Sequence, residues 1–169
     1  MTSGTTGRAK VLFRTYESWA GFFEEQNRVF GVTPDSCMFA QGSLAFTGNL
    51  NLYMGALYAG ASVAAAGKFR PRLWQEMILK HSCDVVYLIP TKLRLLERGC
   101  KTPLNCVKSI IAGSQGFDKN DLDAVKAVLP NAEMTLYYGA SELNYITYIK
   151  DSEMTGDRTL IAVRLRALA

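Results

Sequence analysis

Short apolar segments alternate with amphipathic stretches along most of this chain, and this alternation is what most constrains its fold. Four segments indicate buried strands, because they are apolar and are bounded by polar or turn-forming residues. They are residues 62–66, 85–89, 109–112 and 134–138. The helical patterns between them are of the kind that connects parallel strands. The sequence therefore predicts an α/β fold, a mostly parallel sheet with flanking helices.

Caps and apolar spacing indicate where the helices lie. Thr15 is a candidate N-cap for one helix whose apolar positions recur every three and four residues, and Gly31 follows the end of that helix. Pro71 suits the first turn of another helix, and Asp118 or Asn120 can cap the last one. Besides the helix after Thr15, the pattern predicts helices over residues 48–59, 71–81, 92–97 and 119–128.

The chain begins with a hydroxyl- and glycine-rich loop that ends in a lysine. It consists of Thr2, Ser3, Gly4, Thr5, Thr6, Gly7, Arg8, Ala9 and Lys10. Glycine lets backbone N–H groups turn inward, hydroxyls add donors and basic groups neutralise charge, so the loop suits phosphate oxygens. The loop does not follow the Walker pattern G-x-x-x-x-G-K-[ST]. Counted from Gly4, Ala9 stands at the second glycine and Val11 stands where the magnesium-binding Ser or Thr should be. The loop predicts a polyphosphate ligand, with a flexible linker as the alternative.

A second motif follows the strand-like run of residues 134–136. It consists of Tyr137, Tyr138, Gly139, Ala140, Ser141 and Glu142. A carboxylate here suits Mg²⁺, which proteins hold through one or two carboxylates while substrate phosphates supply further ligands. The plain alternative is a strand end with an aromatic residue, a turn glycine and a solvated acid. The two motifs together favour a site for a nucleotide and magnesium.

Both motifs resemble signatures of the adenylate-forming (AMP-binding) superfamily, which includes acyl-CoA synthetases, carrier-protein adenylation domains and luciferases. The loop resembles T-S-G-T-T-G-x-P-K-G and departs from it at Ala9 and Val11. The second motif resembles Y-G-x-T-E, with Ser141 in place of threonine, so the hydroxyl is kept. The resemblance implies the large N-terminal domain of such an enzyme, with ATP and Mg²⁺ as cofactors.

The resemblance also implies a role for each matched residue. Lys10, Ser141 and Glu142 would be catalytic, with Glu142 also holding Mg²⁺. Adenine would pack on Tyr138, and Ser141 would lie near the α-phosphate. The apolar run that ends at residue 112 would continue into the adenine wall. The nucleotide-binding residues would then be Thr2, Ser3, Gly4, Thr5, Thr6, Gly7, Lys10, Gly113, Ser114, Gln115, Tyr138, Gly139 and Ser141.

The acid substrate is indicated less directly. In the resembling family a histidine or a large aromatic residue often lies beside the acid, and Ala45 takes that place here. Phe46, Thr47, Tyr87 and Ile89 are candidates for the pocket lining, with plain core packing as the alternative. Amino-acid adenylation domains usually have an acidic residue at this position, which binds the ammonium group of the substrate. This chain has Thr47 there instead. We therefore expect a carboxylic acid without an α-amino group.

The resemblance covers residues 2–150. Family members begin before the phosphate loop and continue to a ribose-binding aspartate, a hinge and a mobile domain with a catalytic lysine. We interpret the Thr-Gly-Asp of residues 155–157, which imitates the ribose motif, as coincidence. The sequence predicts a partial AMP-binding domain over residues 1–150 and a truncated or unrelated tail over 151–169. Apolar surface left exposed by missing segments would favour a homodimer.

Composition argues against several other classes of protein. The formal charge is +4 and the 19 Lys and Arg residues are scattered, so no nucleic-acid surface is predicted. The 4 cysteines form no C-x-x-C pair and, with His81, offer no metal-binding spacing, so we interpret them as thiols in a reducing compartment. The chain shows neither a secretory start nor an apolar run long enough to span a bilayer. A cytoplasmic protein without a transmembrane segment is expected.

The function predicted from the sequence is that of a fragment of an ATP-dependent acid–thiol ligase. The whole enzyme would form an acyl-adenylate from a fatty or other non-amino carboxylic acid and pass the acyl group to coenzyme A. The chain alone is expected to be inactive. Two alternatives stay open, which are an amino-acid adenylation domain serving a carrier protein and an inactive nucleotide-binding fragment.

Overall fold

The computed structural model describes residues 13–113, 115–140 and 144–154 of the 169-residue chain. Its strands are β1 Cys37–Gln41, β2 Ser62–Ala66, β3 Val85–Tyr87, β4 Ser109–Gly113, β5 Glu133–Ala140 and β6 Asn144–Lys150. They form one sheet in the order β2-β1-β3-β4-β5-β6. All neighbouring pairs are parallel except β5 and β6, which are antiparallel. The predicted α/β class with a mostly parallel sheet is confirmed.

Helices cover both faces of this sheet. They are α1 Tyr16–Ala20, α2 Phe23–Phe30, α3 Thr47–Tyr58, α4 Pro71–Lys80, α5 Pro90–Gly99 and α6 Lys119–Val128, followed by a 3₁₀ turn at Asp151–Glu153. Within the described ranges, none of these helices has the length and apolar character needed to cross a lipid bilayer.

Two hydrophobic layers hold the helices to the sheet. Phe30 of α2 and Leu52 of α3 pack in one layer, whereas Trp74 of α4 belongs to the other, which α5 and α6 share. Successive residues of β1 alternate between the layers, since Met38 joins the α2 and α3 side and Phe39 joins the other. Burial on both faces explains why the strand sequences are almost continuously apolar.

The single helix predicted after Thr15 is wrong, because the structure has two helices there. Thr15 does cap α1, since its hydroxyl accepts a hydrogen bond from the backbone N–H of Ser18 at 3.1 Å. Gly21 ends α1, and a Cβ at this position would lie 2.6 Å from the carbonyl oxygen of Glu17. Gly31 ends α2 in a left-handed conformation with φ of 66°, as the glycine after the helix predicts.

Other boundaries follow the sequence predictions with local differences. The strand prediction for β2 and the helix predictions for α4 and α6 are confirmed, and α3 begins one residue early, at Thr47. However, β3 ends at Tyr87 rather than at residue 89, because the chain turns there into α5. That helix starts at Pro90 instead of Lys92, since proline is well suited to a first helical turn.

The sequence analysis missed two strands, β1 and β6. Contacts with distant residues position β1, because the backbone N–H of Cys37 donates to the Asp84 carboxylate at 2.8 Å and Ser36 Oγ donates to the same group at 3.1 Å. The antiparallel strand β6 forms a hairpin with β5, which a pattern of parallel crossovers does not include. Short mixed segments of this kind cannot be assigned from periodicity alone.

The cap of α6 provides a test of this local analysis. Asp118 accepts a hydrogen bond from the N–H of Asp121 at 2.9 Å and donates its own N–H to the Asp121 carboxylate at 3.2 Å. We expect Asp118→Ala to lower the free energy of unfolding by about 1 kcal/mol in urea denaturation. Asp123→Ala is the control, because Asp123 lies on the same helix and forms an exposed ion pair with Lys119. Equal losses in both variants would contradict the capping role.

Candidate functional site

The carboxyl ends of the parallel strands meet at one edge of the sheet, where open α/β sheets bind ligands. Gly113 ends β4 and pairs with Tyr137 of β5, which continues to Ala140. Tyr138 and Gly139 follow within β5, and Gln115 comes just after β4. The structure therefore brings four of the predicted nucleotide-binding residues to the same edge.

Gly113 allows an unusually close approach between β4 and β5. A Cβ at this position would lie 2.8 Å from the carbonyl oxygen of Tyr137 and 2.8 Å from the Cε1 atom of its ring. Contacts that short are not tolerated, and the backbone oxygen cannot turn away as a flexible side chain can. The Tyr137 ring therefore lies directly against the β4 backbone because residue 113 has no side chain.

The two adjacent tyrosines of β5 have different environments. Tyr137 is 7% exposed and Tyr138 is 50% exposed, because successive side chains of a strand point to opposite faces. The strand continues to Ala140, so the start of the Tyr-Gly-Ala-Ser-Glu motif lies within β5 rather than after it. The pairing with β6 shifts between Tyr138 and Gly139, an irregularity of the kind that often redirects side chains near sites. The exposed Tyr138 ring can receive a planar ligand.

Gln115 connects the β4 loop to the start of α5. Its side-chain oxygen accepts hydrogen bonds from the backbone N–H of Thr91 at 3.0 Å and from the Thr91 hydroxyl at 2.6 Å. The first turn of a helix has N–H groups without intrahelical partners, and this contact satisfies one of them. Sequence reasoning did not anticipate the contact, because it joins the loop after β4 to a helix that lies 24 residues earlier in the chain.

Lys92 places a positive charge at this edge, and sequence reasoning had counted it only among the scattered basic residues. Its ammonium donates to the carbonyl oxygen of Gln41, the last residue of β1, at 2.8 Å. Burial lowers the pKa of the Lys92 ammonium. Within the described part of the chain, the buried side-chain oxygen of Gln41 has no hydrogen-bond partner. Lys92 could have been predicted as a residue of this edge, because it follows the end of a strand at the start of α5.

A pair of buried phenols lies on the α3 side of the same edge. The hydroxyl oxygens of Tyr87 and Tyr137 are 3.5 Å apart. Burial raises the pKa of both phenols, so both stay neutral and able to donate hydrogen bonds at physiological pH. Tyr87 was predicted as a pocket residue from the sequence, whereas Tyr137 was not.

The other predicted pocket residues lie around the starts of α3 and α5. Ala45 and Phe46 are exposed in the loop before α3, and the Phe46 side chain is 67% exposed. Thr47 is the first residue of α3, and Ile89 is the N-cap residue of α5. They thus lie in the segments that precede or begin these two helices.

Several predicted site residues lie outside the described residues. They are Thr2, Ser3, Gly4, Thr5, Thr6, Gly7, Lys10, Ser114, Ser141 and Glu142, and also the Thr-Gly-Asp of residues 155–157. In the part of the chain that is described, no three or more His, Cys, Asp or Glu residues are grouped so that they could hold a metal ion. The four cysteines are free thiols there, with the sulfur atoms of Cys37 and Cys83 3.5 Å apart.

Sequence comparison finds relatives of this chain. Residues 1–163 match the profile of a family described as AMP-binding enzyme. The uncharacterized acyl-CoA ligase YhfT of Bacillus subtilis (strain 168) is 29% identical over 147 residues, which cover 87% of this chain and 30% of YhfT. The chain thus spans roughly a third of the length of the curated relatives it matches.

Solved structures share the fold. The inhibitor-bound N-terminal domain of FACL13 from Mycobacterium tuberculosis has a TM-score of 0.81 at 16% identity, covering 89% of this chain and 38% of that one. VinN in complex with L-aspartate has a TM-score of 0.70 at 14% identity, covering 79% of this chain and 34% of VinN. At these identities the likeness concerns the fold alone, and it agrees with the α/β architecture.

The close approach at Gly113 can be tested by adding one methyl group. We expect Gly113→Ala to lower the free energy of unfolding by about 2 kcal/mol, because overpacking forces β4 and β5 apart. Gly116→Ala is the matched control, since a Cβ there meets nothing within 4 Å. Thermal and urea unfolding of both variants measure the difference. A Gly113→Ala protein as stable as the control would contradict the close packing.

The contact between Gln115 and Thr91 provides a second test. Gln115→Ala removes an acceptor from the start of α5, so we expect a loss of about 1 kcal/mol in the free energy of unfolding. Gln115→Glu keeps a side-chain oxygen there and adds a negative charge that a helix N-terminus favours. Urea denaturation should show the glutamate variant near the parent protein. A glutamate variant as unstable as the alanine variant would rule out this capping contact.

Proposed function

Because the chain belongs to the AMP-binding enzyme family, we propose that it is the nucleotide-binding part of an ATP-dependent acid–thiol ligase. The whole enzyme would form an acyl-adenylate and then an acyl-CoA thioester. Acyl-CoA ligase relatives support a ligase. The observation that carries the proposal is the pairing of Gly113 with Tyr137, which puts Gly113 and the exposed Tyr138 ring at one sheet edge.

In the first half-reaction, a carboxylate oxygen of the acid attacks the α-phosphorus of ATP and pyrophosphate leaves. Negative charge on the departing pyrophosphate must be balanced, which is a task for donors positioned in advance. Lys10 and the hydroxyl-rich loop around it, residues 2–7, would supply that balance, and Ser141 would bind the α-phosphate. When bound through Glu142, Mg²⁺ would add positive charge to the phosphates. One carboxylate suffices because the nucleotide supplies further oxygen ligands.

The adenine ring would stack on Tyr138, with Gly113, Ser114, Gln115 and Gly139 beside it. Half of the Tyr138 surface is exposed, so a planar ring can cover it. In the second half-reaction, the thiol of coenzyme A attacks the acyl carbonyl carbon and AMP leaves. Positioning of these reactants would provide most of the acceleration, without a covalent bond to the protein.

We further propose that the acid lacks an α-amino group, as the position of Thr47 suggests, and that fatty acids belong to its class. Its partners would be the acid, ATP and coenzyme A in the cytoplasm. Exposed aromatic side chains, such as Phe13 and Tyr58, support association with a second copy. The alternative is an amino-acid adenylation domain that serves a carrier protein, and the VinN complex with L-aspartate keeps it open.

The deciding experiment is acid-dependent exchange of pyrophosphate into ATP. It should be run on this chain and on its complete reading frame, with fatty, aryl and amino acids. We expect exchange by the complete protein with fatty or aryl acids and none by this chain alone. Exchange driven by amino acids would support the carrier-protein alternative. No exchange with any acid by either protein would overturn the adenylation proposal.

Glu142 can be tested in the same assay. In the complete protein, Glu142→Gln should reduce magnesium-dependent exchange to background, because the amide cannot replace a charged ligand. Glu76→Gln serves as the control, since Glu76 is exposed on α4. Circular dichroism should show both variants folded. Unchanged exchange by Glu142→Gln would remove this residue from the site.

A further inference from the structure

Helix α4 exposes large apolar side chains on the side that faces away from the sheet. Trp74 and Ile78 hold the helix to the sheet and are buried in the layer that α5 and α6 share. By contrast, Leu73 is 40% exposed and Leu79 is 48% exposed, and Phe69, just before the helix, is 58% exposed. A surface helix normally carries polar residues on its solvent side. This group of exposed apolar side chains therefore indicates a contact with something apolar.

Positive charges lie between these apolar side chains. Lys68, Arg70, Arg72 and Lys80 are all exposed. None of the four forms an ion pair with another described residue. Glu76 is the only acidic residue among positions 68–80 of the sequence. The stretch is therefore strongly positive as well as apolar, although the sequence analysis counted its basic residues as scattered.

Helical geometry brings the residues of α4 to one side. Arg72 and Leu79 are seven residues apart, and so are Leu73 and Lys80. Seven residues make about two helical turns, so the members of each pair lie one above the other. Charge and apolar surface consequently alternate along the same side of the helix.

The segment before α4 folds against the same side of the helix. The backbone N–H of Leu73 donates to the carbonyl oxygen of Arg70 at 3.0 Å, which makes a tight turn into the helix. The ring of Phe69 meets the ring of Trp74 edge-on, with centroids 5.5 Å apart. The segment and the helix thus form one continuous surface. We call it the α4 surface, and it consists of Lys68, Phe69, Arg70, Arg72, Leu73, Leu79 and Lys80.

This mixture of cations and apolar side chains matches the surface of an anionic lipid bilayer. Negative headgroups attract Lys and Arg, while leucine and phenylalanine enter the boundary between headgroups and acyl chains. A nucleic acid would neutralise the cations but would leave the three apolar side chains in water. Each Lys or Arg near an anionic membrane tightens binding about fivefold, so four of them with three apolar side chains support reversible attachment.

We propose that the α4 surface binds the anionic lipids of a membrane, with α4 lying parallel to the bilayer among the headgroups. The contact is peripheral, and no spanning segment takes part in it. It does not depend on the proposed ligase function. It would nevertheless bring a ligase for fatty acids to the surface into which such acids partition.

The test measures binding of the complete protein to lipid vesicles by cosedimentation. One kind of vesicle contains phosphatidylcholine alone, and the other contains equal amounts of phosphatidylcholine and phosphatidylserine. We expect the protein to bind the anionic vesicles at least about a hundredfold more tightly than the neutral ones. Added salt should weaken this binding, because it screens exposed charges.

A double variant tests the contribution of charge. Arg70→Gln combined with Arg72→Gln should weaken binding to the anionic vesicles by about 25-fold, since each lost cation accounts for about fivefold. Arg28→Gln combined with Lys108→Gln is the matched control. It removes the same net charge from two exposed positions outside the α4 surface, so it should bind nearly as well as the parent protein.

A single variant tests the apolar contribution. Leu73→Gln keeps a good helix former and removes an apolar side chain, so it should weaken vesicle binding by about fivefold, the factor for burying part of a leucine. Leu57→Gln is its control, because Leu57 is an exposed leucine of α3, which packs on the opposite side of the sheet. Thermal unfolding checks that all four proteins fold.

The outcomes either support the membrane contact or overturn it. Equal binding to both kinds of vesicle, or no binding to either, overturns it. So does an equal loss of binding in the α4 variants and in their controls. Binding to a DNA duplex without binding to the anionic vesicles also overturns it, and would indicate a nucleic-acid contact instead. None of these outcomes bears on the proposed ligase function, which pyrophosphate exchange measures separately.

Discussion

The close approach of β4 and β5 at Gly113 is the constraint on which the rest of the candidate site depends. Because residue 113 has no side chain, the Tyr137 ring and carbonyl oxygen lie within 2.8 Å of where a Cβ would be. The ring then fills the α3 side of the sheet and reaches Tyr87. Strand alternation places Tyr138 on the opposite face, exposed. One small residue thus determines the surroundings of both tyrosines.

Side-chain contacts between distant elements connect the same edge. Gln115 joins the end of β4 to the start of α5, and Lys92 joins α5 to the end of β1. Both contacts join a side chain to a backbone group of a distant element, so they connect the start of α5 to the ends of β4 and β1. The Lys92 ammonium also adds positive charge where the proposed ligand is a polyphosphate, which favours its approach.

Much of the fold could be predicted because its signals are local. The cap at Asp118, the proline at the start of α4 and the left-handed Gly31 each mark a helix boundary within a few residues. The prediction failed where a boundary depends on distant partners. Strand β1 is positioned by Asp84, and the break at Gly21 depends on the packing of two short helices that periodicity treats as one.

The sequence by itself determined the α/β class and contains the two motifs on which the site prediction depends, because hydrophobic periodicity, caps and motifs are all patterns of nearby residues. Only the tertiary structure decided what these residues meet. The pairing of Tyr87 with Tyr137, and of Gln115 with Thr91, joins residues from separate strands and loops. Such contacts depend on strand order and register, and no local pattern encodes them because several registers would bury the same apolar residues.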